Sequence, residues 1–61
     1  MEITKEQFEA YVDVQMSGAT NMFDVRTVQE LSGLERDEIT AIMSQYSDLA
    51  GKYPEVINNY N

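Results

Sequence analysis

Three glycines and one proline cut this chain into helix-length pieces. Gly18, Gly33 and Gly51 each follow a stretch whose apolar residues recur at three- and four-residue spacing, the mark of an amphipathic helix. Glycine enters the left-handed conformation without a Cβ penalty, so each reads as a helix stop. Pro54 then forbids continuation past the third. The pattern predicts an all-α fold, a compact three-helix bundle with a helix-turn-helix-like hairpin. The expected helices cover about residues 5–16, 23–32 and 35–50, with a tail over 51–61. In that tail, either Pro54 opens a short helical turn carrying Val56, Ile57 and Tyr60 on one side, or the end frays.

The helix starts are as well marked as the stops. Thr4 and Gln7 form a capping box, in which each side chain satisfies a backbone N–H left orphaned at the helix start, and Ile3 and Phe8 stand at staple positions. Phe8, Tyr11, Val12, Gln15 and Met16 make the expected inner stripe. For the second helix, either Asn21 or Asp24 can cap, since both offer a short acceptor side chain. Val25, Val28 and Leu31 are expected on its inner face, with Met22 or Phe23 closing the front and Leu34 packing back beyond Gly33. Leu34 and Ile39 repeat the staple around Glu35 and Glu38. The third stripe is Ile39, Ile42, Met43, Tyr46 and Leu49 or Ala50.

Sixty-one residues make one small domain, 1–61, with no Cys for disulfides and no His for a zinc site. A chain this short is marginal alone, so association with itself as a homodimer or with a partner is the remaining prop. No long apolar run or secretory leader is visible, so no membrane span is expected and a cytoplasmic location is the default. Eleven carboxylates stand against four basic residues, a net charge of −7. Nucleic acid and anionic membranes are bound through Lys and Arg, so this balance argues against both and favours a partner with a basic surface. No carboxylate pair is singled out by spacing, and no His, Cys or Gly-rich phosphate loop accompanies them. No catalytic residue, cofactor or metal ligand is therefore assigned, and the chain does not read as an enzyme. Asp24 to Glu35 begins and ends like a calcium-binding loop, but Arg26, Val28 and Gln29 occupy positions that need oxygen ligands or Gly.

From Val25 to Tyr46 the spacing is that of a helix-turn-helix around Gly33. Yet the second helix opens with Glu35, Arg36, Asp37 and Glu38, a segment that would repel phosphate. An ordinary αα-hairpin, a helix-turn-helix frame turned to protein contacts, and a true DNA reader are the alternatives, in falling order. On the first helix, Glu2, Glu6, Glu9 and Asp13 recur on one face. Such a row serves either solubility or a protein-binding surface that mimics phosphates. The candidate partner-binding residues are therefore Glu6, Glu9 and Asp13, with Glu35, Asp37 and Glu38. Tyr53 and Tyr60 join them, because they fall outside the clear helices and Tyr is enriched at interface hot spots.

The segment Ser17-Gly18-Ala19-Thr20-Asn21-Met22-Phe23-Asp24, followed by Val28 and Leu31, resembles a motif of small phage and prophage proteins of Firmicutes. The resemblance covers roughly residues 5–50 and brings no activity with it. What it implies is context: very short acidic phage proteins commonly inhibit host machinery, including CRISPR effectors and other defence factors. The expected function is thus inhibition of a nucleic-acid-handling bacterial host protein, inside the host cell. The alternatives are a degenerate helix-turn-helix accessory acting as a dimer in transcription or assembly, and a structural phage protein packed on a neighbour.

Overall fold

The computed structural model of the protein describes residues 1–59. It is all-helical, with five helices among those residues: α1 (Lys5–Ser17), α2 (Val25–Ser32), α3 (Arg36–Ser44), α4 (Tyr46–Lys52) and α5 (Pro54–Asn58). The first helix is the organising one, since α2, α3 and α5 all pack against it. Its start follows from local chemistry. The Gln7 backbone N–H donates to Thr4 Oγ1 at 3.2 Å, and the Thr4 N–H donates to Gln7 Oε1 at 2.9 Å. Ile3 and Phe8, the staple pair, are both buried. Every element then adds to one core: Phe8 and Val12 from α1, Val28 from α2, Ile39 and Ile42 from α3, Leu49 from α4 and Val56 from α5. Among the described residues no charged side chain is buried, so hydrophobic burial is the main source of stability.

The expected third helix, 35–50, is broken at Gln45. Ser44 Oγ donates to the Ala41 carbonyl at 3.0 Å, and the Gln45 N–H is shared between the Ala41 and Ile42 carbonyls. A hydroxyl that bonds back to its own helix weakens and bends the ladder. Gln45 leaves helical geometry at φ −109°, and its side-chain amide donates to the Met1 carbonyl at 3.2 Å. The bend carries Tyr46 onto α1. There its ring meets the rings of Phe8 and Tyr11 edge-on, and its hydroxyl donates to Gln15 Oε1 at 2.8 Å.

Gly51 is not the stop expected of it. It lies inside α4, and the helix ends at Tyr53, which Pro54 forces out of helical geometry. Pro54 opens α5 at its first position, which resolves the tail as helix through Asn58. Gly33, by contrast, does close α2, at φ +77°. The two glycines therefore predict opposite responses to alanine. Nothing lies within 4 Å of a Cβ added at Gly51, and Ala is the better helix former by about 0.8–1 kcal/mol. Gly51→Ala should raise the melting temperature by roughly 4–8 °C in a domain of this size. Gly33→Ala should lower stability by about 1–2 kcal/mol, the cost of a left-handed L-residue. A thermal melt of each variant reads both signs, and a fall for Gly51→Ala would contradict its helical placement.

The second helix begins at Val25 rather than 23, with Asp24 as its cap. Asp24 Oδ1 accepts the Thr27 N–H and Oδ2 accepts the Thr27 hydroxyl. Asn21, the other candidate, instead takes the Phe23 N–H on its side-chain oxygen at 2.9 Å. That tight turn sends Met22 against the core and Phe23 outward, 87% exposed. Of the pair expected to close the front of α2, Met22 does so and Phe23 does not. Leu31 and Met16 are also more exposed than their stripes predicted, while Val14, outside the predicted stripe, is buried. The cause is one of neighbours: α2 lies along the side of α1 that carries Ala10 and Val14.

Candidate functional site

The charged groups are laid out by the helices they start on. Glu6, Glu9 and Asp13 are exposed on α1, and their spacing puts them on one face. The row runs over eight residues, about 10 Å along the helix axis. Among the described residues the one ion pair is Lys5 with Glu55, at 3.4 Å between α1 and α5. Glu55 accepts from its own backbone N–H, which with Lys5 holds its carboxyl below the ordinary range. The row on α1 has no cation within pairing distance. Basic residues are dispersed, with Lys5, Arg26, Arg36 and Lys52 on four different helices. The Lys52 ammonium lies 5.3 Å from the centre of the Tyr53 ring.

The second acidic group behaves differently. Glu35 and Asp37 are exposed at the start of α3, but Glu38 is half-buried and already engaged. Its Oε1 accepts the Glu35 backbone N–H at 2.8 Å, and its Oε2 accepts from the Gln7 side-chain amide of α1. Glu38 thus ties the first turns of α1 and α3 together, a fixed structural role. Asp37 Oδ1 accepts the Glu38 N–H at 3.0 Å. Arg36, Asp37 and Glu35 line a shallow open groove with Met1, Thr40 and Ser44, of mixed charge and without a convergent set of polar groups. Tyr53 is half-buried against the core, so much of its ring is already committed to packing. Tyr60 lies outside the described residues.

A second groove runs between α1 and α2. Ala10, Val14 and Leu31 form its apolar lining, Ser17 and Ser32 its edges, and Asp13 its one charged member. Sequence reasoning did not find it, because no local signal says which sides of two helices will face each other. The nearest hint was Leu31, whose spacing called for burial and whose side chain is 52% exposed.

Among the described residues no group of three His, Cys, Asp or Glu side chains comes close enough to hold a metal ion, and no helix is long and apolar enough to cross a membrane. The described surface carries a carboxylate row without a salt bridge, a small groove beside its end, and an exposed aromatic at Phe23. Comparison with protein-family models, with curated proteins and with solved structures found no match.

Proposed function

We propose that this chain is a small acidic phage protein that binds and inhibits a bacterial host protein, one that handles nucleic acid in defence. The supporting observation is the exposed row Glu6, Glu9 and Asp13, none of them in a salt bridge among the described residues, on a helix anchored to the core by its opposite face. The row offers three charges over about 10 Å of axis, whereas one DNA strand carries a charge every 3.4 Å or so. It therefore imitates a short stretch of phosphates at lower density. Such a surface steers a basic cleft toward itself and occupies it without being cut or copied.

Capture from a bacterial host lysate tests the reading. The wild-type chain should recover a specific nucleic-acid-binding protein and block its activity. Reversing all three charges to Lys should weaken capture by roughly a hundredfold, since each exposed pair is worth up to about 1 kcal/mol. Circular dichroism of the variant should remain helical, because all three positions are exposed. Unchanged capture by a folded variant would remove the row from the mechanism.

A second reading, a dimeric accessory with a degenerate helix-turn-helix, draws support from Phe23, whose exposed ring is a ready self-association anchor. A dimer in solution that Phe23→Ser converts to monomer would favour it.

A further inference from the structure

The groove between α1 and α2 differs from the rest of the surface in how its polar groups are engaged. Ser17 Oγ donates to the Val14 carbonyl at 2.7 Å and accepts the Ala19 N–H. Ser32 Oγ donates to the Val28 carbonyl at 2.6 Å and accepts the Leu34 N–H. Both hydroxyls are turned back onto their own helix ends, so neither offers a free hydrogen to an occupant. The open lining is part polar and part apolar, its apolar side being chiefly Ala10, Ala19 and the half-exposed Leu31 over a buried Val14, with the Asp13 carboxylate as the one charged group. Asp13 is also the last member of the acidic row. The groove and the charged face therefore meet at this residue.

Resting on the reading of the acidic face as a binding surface, we infer that this groove receives an apolar side chain from a cationic amphipathic segment of the partner. That side chain seats on Leu31 beside Ala10, a Lys or Arg beside it pairs with Asp13, and the segment's further cations follow α1 to Glu9 and Glu6. Charge complementarity selects this occupant. A second copy of the chain would bring its own excess of carboxylates, at net charge −7, against Asp13. The groove gives the interaction a component that salt does not screen, which three exposed charges alone lack.

Two synthetic helical peptides of equal charge test this against the full-length isotope-labelled protein by NMR titration at about physiological salt. One peptide is built of Lys and Leu on an amphipathic period, and the other replaces each Leu by Gln. The Lys/Leu peptide should bind at least tenfold or so more tightly, as a seated apolar anchor requires, and should shift the amides of Val14, Leu31 and Ser32. Leu31→Ser should erase that preference while leaving the weaker Lys/Gln binding intact. Equal affinity of the two peptides, or a preference that survives Leu31→Ser, overturns the groove. So does a concentration-dependent shift at Leu31 in the protein alone, which would make a second copy the occupant. Charge reversal at Glu6 and Glu9 that leaves both affinities unchanged would instead defeat the acidic-face reading, with the Leu preference still measurable.

Discussion

Phe8→Ala is expected to unfold most of the protein under conditions where the wild type is fully folded. Phe8 is wholly buried and is the largest side chain at the centre of the core. Its ring meets Tyr46 edge-on at 5.5 Å between centroids, so it joins α1 to the bend that begins α4. Removing a buried Phe costs about 3–5 kcal/mol, through lost transfer energy and the cavity left behind. A chain of this length holds only about 3–9 kcal/mol of stability in total. The substitution therefore removes a large fraction of it, if not all. Urea denaturation followed by far-ultraviolet circular dichroism measures the loss. Tyr46→Phe provides the scale, because it keeps the ring and deletes the hydrogen bond to Gln15, a loss of about 0.5–1.5 kcal/mol. Similar midpoints for Phe8→Ala and wild type would mean that the core is not centred where the structure puts it.

A chain ending at Tyr53 is the second severe case. Val56 is fully buried and Ile57 packs beside it, both on the helix that such a chain lacks. Burying one Val or Ile side chain contributes about 1.5–3 kcal/mol, so the truncation should lose roughly 2–4 kcal/mol. In a domain of this size that corresponds to a fall of about 10–30 °C in melting temperature. The Lys5–Glu55 pair, exposed on both sides, adds little. Lys5→Ala in the full chain separates the two contributions, and it should leave the melt nearly unchanged. A truncated chain that melts within a few degrees of the full one would show that α5 is an ornament on the surface.

The parts of this fold that were legible beforehand are those set by short-range chemistry. Thr4 with Gln7, Glu35 with Glu38, the two staples and the Gly33 stop each involve residues within a turn or so of one another. The errors arise where a second element decides. Periodicity centred the α1 stripe on the side ending in Met16, but α2 covers the side bearing Val14. Leu31 was placed inward by spacing alone, whereas the short α2 buries only Val28 fully. At Gln45 the local Ser44 bond is joined by contacts that no local pattern contains, the Gln45 amide on the Met1 carbonyl and the Tyr46 hydroxyl on Gln15. Of the candidate site, the acidic row on α1 was readable from its period. The bond from Gln7 that withdraws Glu38 into the structure was not, and neither was the groove beside Asp13.

The packing of α5 on α1 sets the order in which the protein can be made. The ribosome delivers α1 first, yet the surface that Val56 covers stays open until almost all of the described chain has emerged. Helices here can form early, but the core is closed by a contact between segments at opposite ends of that stretch. Closing so long a loop adds only modestly to the entropy lost, about 0.6 kcal/mol for each doubling of length. It does, however, postpone the cooperative step. Until α5 emerges the nascent chain therefore carries exposed apolar surface, and the core closes in one late event.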